Sequence, residues 1–281
     1  MKKLLTLLLA LSLLLLAGCG PKTPEAPGNE GEDETPKTPI TLTVGASITP
    51  HAEVLEAARP AFEAKGYTLV IREFTDYVQP NLTLDSGDID ANYFQHYPYL
   101  DWFNEEYGTD IVAVGEVHYE AFGIYPGKSS DLEQIAQGAV FGIPNDGTNE
   151  ARALLLMEQC GLIKLREGIA LSATVLDIDE NPHGLVIREM EAAQIPLSLQ
   201  DLDFGVINFN FAYQAGLKAS TDALVVEDAD SVAAETYSNV VCVKAGNEQN
   251  EAVLALIEAL QTEEVRDFIL TTYGGAVLPR F

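Results

Sequence analysis

Residues 41–74 read TLTVGASITPHAEVLEAARPAFEAKGYTLVIREF, and the spacing of apolar positions changes twice along them. Thr41 to Ile48 reads as a strand. Ala52 to Lys65 is amphipathic at helical spacing, with Pro60 expected to break or kink the helix and Gly66 to stop it. Tyr67 to Phe74 is a second strand. Strand, helix and strand in succession start a parallel α/β sheet.

The alternation continues outward from this unit. Pro80 to Leu84 reads as helical and Asp88 to Phe94 as a third strand. Further on come a strand over Ala139 to Ile143, a long helix over Asn149 to Cys160, and strands over Leu185 to Met190, Phe204 to Asn208 and Val240 to Lys244. Glu251 to Leu260 and Glu264 to Tyr273 read as closing helices. About 240 ordered residues is large for one such sheet, so two lobes are expected. No internal repeat is visible.

Upstream of residue 40 the sequence reads differently. Lys2 and Lys3 precede a nearly unbroken apolar run from Leu4 to Ala17, too short for a hydrocarbon core of about 30 Å, so residues 1–18 are expected to be a signal peptide. Leu16-Ala17-Gly18-Cys19 resembles the bacterial lipobox, which implies acylation of Cys19 after cleavage. Residues 19–39 hold five prolines among acidic side chains and no large apolar residue. Such a segment forms no core and is expected to be a disordered tether.

The whole chain carries 16 Lys and Arg against 43 Asp and Glu, a net charge of −27. That charge repels phosphate backbones and excludes a nucleic-acid reader. Three cysteines, one of them Cys19, exclude a disulfide scaffold, and Cys160 and Cys242 are expected to be buried thiols.

Several stretches resemble one family, the substrate-binding lipoproteins of methionine ABC importers. They are Pro50-His51-Ala52-Glu53, Phe74 to Asn81 (FTDYVQPN), Gly87 to Leu100 (GDIDANYFQHYPYL), Val117-His118, Ile143 to Asn149 (IPNDGTN) with Arg152, Val175-Leu176-Asp177, Glu180-Asn181-Pro182, Ile207-Asn208, and Tyr273 to Val277 (YGGAV). The resemblance runs in order from about Thr41 to the end. It departs at Ala121 and Pro126, where proline and serine are the expected residues, and at Phe209 and Phe211, which are bulkier than usual. It implies a two-lobed periplasmic-binding-protein fold of type II, with mixed sheets flanked by helices and a ligand cleft between lobes joined by two crossing segments. Lobe one is expected over residues 40–120 and 239–281, and lobe two over 121–238. The implied protein is no enzyme. It is a monomer, lipid-anchored on the extracytoplasmic face, needs no cofactor, and delivers methionine or a close relative to an ABC permease and its ATPase subunit.

An amino-acid ligand brings a carboxylate, an ammonium and a side chain, and each needs a partner once water is expelled. Asn145 to Asn149 leads from a strand into a helix whose N-terminal amides favour an anion, and Arg152 lies about one turn in, able to bind both carboxylate oxygens. Read without the resemblance, the commoner arrangement is that Asp146 or Thr148 merely caps the helix and Arg152 pairs with a surface acid; the resemblance turns the reading toward the ligand. Asn208 ends an apolar strand, where its amide could orient the ligand or simply cap the next helix. Glu227 could face the ammonium or be solvated. Phe94 and His96, two apart at a strand end, face the same way, and Tyr77 could complete a wall for a thioether, although aromatics are commonly core. Tyr93 and Tyr97 are assigned to packing. The resemblance adds Asn149 and His118, and His51 is expected to line the cleft from the start of the first helix.

Three rival readings are weighed. His51, His96, His118 and His183 could supply a zinc-binding transport lipoprotein, but no paired histidine spacing occurs, and no metal ligand is assigned. An exported hydrolase lacks its signature, since there is no Gly-x-Ser-x-Gly and no cysteine in a nucleophile setting. A surface adhesin would be expected to show repeats or exposed apolar patches.

Overall fold

The computed structural model describes residues 40–228 and 236–281. The expected signal peptide, the lipidated Cys19 and the tether lie outside the described residues. Two sheets carry the fold. The first is built from β1 (Ile40–Ser47), β2 (Tyr67–Phe74), β3 (Ala91–His96), β4 (Ile111–Glu120), and, from the far end of the chain, β12 (Ser238–Lys244) and β13 (Val277–Pro279). The second contains β5 (Phe122–Pro126), β6 (Val140–Pro144), β9 (Val186–Met190), β10 (Phe204–Asn208) and β11 (Val225–Val226). A separate two-stranded antiparallel sheet pairs β7 (Lys164–Leu165) with β8 (Ile178–Glu180).

The strand orders are β13-β4-β12-β3-β1-β2 and β11-β5-β10-β6-β9. Parallel pairing holds where helices connect the strands, in β2-β1-β3 and β10-β6-β9. The remaining pairs are antiparallel. The strand–helix alternation alone therefore reads too uniformly parallel, and the mixed sheets that the resemblance implies are the ones present. The antiparallel strands arise because the chain leaves the first sheet at Glu120, enters the second at Phe122, and later returns as β12 between β3 and β4.

The helices are α1 (Glu53–Glu63), α2 (Gln79–Ser86), α3 (Tyr97–Tyr107), α4 (Gly147–Gln159), α5 (Phe209–Gln214), α6 (Glu251–Leu260) and α7 (Glu263–Tyr273). Burial of Val54, Leu55, Ala58 and Phe62 at helical spacing seats α1 on the first sheet, beside the apolar faces of α6 and α7. Pro60 does not break α1. It lies on the exposed side, where water can serve the carbonyl that loses its partner. Met157, Leu154 and Ala151 of α4 pack in the core of the second sheet with Phe141 and Phe204.

Several elements depart from the sequence reading, which has no strand at β4, β5, β7, β8, β11 or β13. β3 begins at Ala91 rather than Asp88, because Gly87 closes α2 in the left-handed conformation (φ 82°) and Asp90 turns back to accept from the Thr43 amide at 2.7 Å. α3 is not anticipated at all. Its start is set by His96, whose Nδ1 accepts from the Tyr99 amide at 3.2 Å, and by Pro98 in the first turn, and its end by Gly108 at φ 68°. Cys160 and Cys242 are free; Cys242 is buried but Cys160, at the end of α4, is only half-buried.

Candidate functional site

The carboxyl ends of β3 and β10 and the first turns of α4 meet where the chain passes between the two sheets. A small cavity lies there, lined by Tyr77, Phe94, His96 and Tyr99 on one side and by Asn149, Arg152 and Asn208 on the other, with Glu120, Asn239, Gln95, Ala121 and Phe209 between. Strand ends of an open α/β sheet leave side chains free of the ladder, which is why ligand sites collect there.

The aromatic wall is held from behind. Tyr77 Oη donates to Asn210 Oδ1 at 2.6 Å, and Tyr99 Oη donates to the Tyr77 carbonyl at 2.9 Å. Tyr77 packs on Phe94 and Phe211 with ring centroids 6.0 and 4.8 Å away. Because His96 Nδ1 accepts the α3 cap, its proton sits on Nε2, which donates to Asn149 Oδ1 at 3.3 Å. Burial, with Arg152 nearby, lowers the His96 pKa to about 3, so the ring is neutral at pH 7. Beneath β3, Asn81, Asn92 and Gln95 form a closed set of buried amide hydrogen bonds of 2.7–3.1 Å that fixes the strand end.

Opposite the wall, Asn149 Nδ2 donates to both oxygens of Asp146, and Asn208 Nδ2 donates to Asn149 Oδ1 at 2.8 Å. That leaves Asn208 Oδ1 buried without a partner. Arg152 is 3% exposed. Its Nε and Nη2 pair with the Glu227 carboxylate, and Nη2 also donates to the Glu120 carbonyl at 3.1 Å. Its guanidinium lies 4.1 Å from the Tyr237 ring centre and 4.7 Å from that of Phe122.

The structure thus brings Tyr77, Phe94, His96, Asn149, Arg152 and Asn208 to one cavity. It corrects four details. The α4 N-terminus is capped by Asp146, which accepts from the Asn149 amide, so the first turn is occupied by the chain's own carboxylate. Arg152 has its Nε–Nη2 edge taken, which removes that edge from two-oxygen contact with a ligand. Glu227 is buried against Arg152 and Tyr119, where it meets a guanidinium and a phenol rather than a ligand's ammonium. His51 and His118 do not line the cavity; both are buried behind it around Glu120. His51 sits in the bend over Ile48–Ala52 and packs edge-on against His118 of β4, with ring centroids 4.9 Å apart. Glu120, Asn239, Gln95 and Tyr99 were not anticipated, although Glu120 stands two residues after His118, the period that puts both on one face of β4.

A family profile for the NlpA lipoproteins matches residues 42–281. The chain belongs to the NlpA lipoprotein family. A relative named probable D-methionine-binding lipoprotein MetQ, from Pasteurella multocida, is 39% identical over 277 residues, 98% of each chain. Among solved structures of this kind, a nutrient-binding protein from Burkholderia cenocepacia bound to methionine is 41% identical with a TM-score of 0.81, covering 85% of this chain and 100% of the other. A lipoprotein from Ruminococcus gnavus is 50% identical with a TM-score of 0.85, covering 86% and 99%. This NlpA chain shares the two-lobed substrate-binding fold of these relatives. No helix among its described residues is long and apolar enough to cross a membrane.

Proposed function

We propose that this protein captures methionine, or a close relative of it, between its two lobes and delivers it to an ABC permease, performing no chemistry on it. The observation that carries the reading is the polarity of the cavity. Asn208 Oδ1 is a buried acceptor without a partner on a residue that lines the cavity, a setting for an ammonium group. The amide of Asn239 and the guanidinium of Arg152 border the same space and offer donors for a carboxylate. Tyr77, Phe94 and the neutral His96 give a polarizable surface for a thioether, worth about 0.3–1.5 kcal/mol per sulfur–aromatic contact. The names of the relatives from Pasteurella and Burkholderia support the same ligand.

We assign residues 40–120 and 239–281 to lobe one and 121–238 to lobe two, with Ala121 on one crossing. Export and anchoring through Cys19 complete the reading and fit the lipoprotein names of the relatives. The test is thermal denaturation with free amino acids. Methionine raises the melting temperature by mass action on the folded state, while glutamate, lysine and arginine do not. Equal stabilisation by a charged amino acid contradicts the thioether pocket.

A further inference from the structure

Behind the amino-acid cavity three metal-ligating side chains converge, although no local sequence spacing announces them. His118 and Glu120 share one face of β4, and His51 enters from the bend that follows β1. Glu120 Oε1 lies 2.8 Å from His118 Nε2 and 3.1 Å from His51 Nε2, and the three ligand atoms all lie within 4.8 Å of one another. Asn239, register partner of His118 across β12, brings Oδ1 to 3.0 Å from His51 Nε2. We propose that His51, His118 and Glu120 form a binding site for one divalent transition-metal ion of zinc chemistry, with Asn239 Oδ1 as the fourth protein donor.

The argument is one of donor count. His51 Nε2 stands within hydrogen-bond distance of two oxygens, Glu120 Oε1 and Asn239 Oδ1, and a single N–H aims well at only one of them. A cation bound by His51, His118 and Glu120, with Asn239 Oδ1 3.0 Å from His51 Nε2, would relieve that competition. Two imidazoles and one carboxylate are a ligand set zinc uses in tetrahedral sites, where bonds of about 2.0–2.2 Å put neighbouring ligand atoms roughly 3.3 Å apart; the Glu120 contacts of 2.8 and 3.1 Å would open slightly and the wider separation within the cluster, up to 4.8 Å, would close around the ion. An outer partner is also in place. The Tyr93 hydroxyl bonds His118 Nδ1 and fixes that ring, the role such contacts play around bound metals. Entry runs through the amino-acid cavity, since Glu120 and Asn239 belong to both the cavity and the cluster.

The inference does not depend on which amino acid the cavity takes. The test uses the full chain without a histidine tag, stripped with a chelator, then loaded with zinc chloride alone, desalted and analysed for metal. One zinc per chain is expected, with affinity lowered at least tenfold in His118→Asn and in Glu120→Gln. Retention of no zinc by the wild type overturns the proposal, as does equal retention by a His51→Ala/His118→Ala double variant, which would place the metal on the acidic surface. Should a variant fail to fold, cobalt(II) in the wild type decides. Strong visible bands of a four-coordinate complex support the site, and the weak spectrum of hydrated cobalt overturns it.

Discussion

At the residue scale, a buried guanidinium and a buried carboxylate stabilise the fold only while both are present. Removing one leaves the other charged and without its counter-ion, at a cost of about 3–5 kcal/mol. Arg152→Ala is therefore expected to lower stability to urea by about that amount, through Glu227, and to weaken methionine binding at least tenfold. An unchanged urea midpoint contradicts the buried pair. His96 gives a pH signature. Its folded pKa, about 3, lies below the ordinary 6.5, so between these values the unfolded chain binds a proton that the folded chain refuses. The stability due to neutral His96 is present above pH 6.5 and lost on acidification, at about 1.4 kcal/mol per pH unit. The raised carboxyls of Glu120 and Asp146 act in the opposite sense. His96→Gln should therefore lose melting temperature less steeply than wild type between pH 6.5 and 4.5; parallel curves would show His96 open to solvent protons. Strand ends and helical spacing make Arg152 and Asn208 candidates, but it is the family resemblance that singles them out and adds Asn149. The Arg152–Glu227 pair could not be read from the sequence, because its partners are 75 residues apart and no periodicity links them.

At the element scale, the end of β3 decides where Phe94 and His96 point. The amides of Asn81, Asn92 and Gln95 satisfy one another beneath it, and loss of any one leaves buried partners unpaired, at about 1–3 kcal/mol. Asn81→Ala is expected to lower stability by that amount in chemical denaturation and to weaken ligand binding by loosening the wall. A variant as stable as wild type would show that the amide set is replaceable by water. The sequence shows β1, α1 and β2 nearly to the residue, because alternation and the 3.6-residue period are strong there. It shows α3 poorly, because the apolar positions of Tyr97–Tyr107 are interrupted and its cap is a histidine side chain rather than a serine, threonine or aspartate. The position of His51 escapes it too, since a bend and not a period aims that ring.

At the scale of the whole molecule, length and alternation already separate two lobes, while the antiparallel strands depend on β12 and β13 returning from far along the chain. Contacts then tie the two sides of the cavity. Tyr77 Oη reaches Asn210 on α5, and His96 reaches Asn149 on α4. A ligand that touches both sides favours the compact arrangement, because only that arrangement offers every contact. Methionine should compact the wild type in small-angle scattering, and Tyr77→Phe, which keeps the ring but loses the Asn210 bond, should weaken binding by about 0.5–1.5 kcal/mol. Compaction without any change in affinity would remove Tyr77 from the closure. The central claim is that one amino acid is held from both lobes at once, and calorimetric titration of methionine into wild type, Phe94→Ala and Asn208→Ala addresses it most directly. One methionine per chain is expected, with affinity at least tenfold weaker in each variant; binding within twofold of wild type in either would contradict the account.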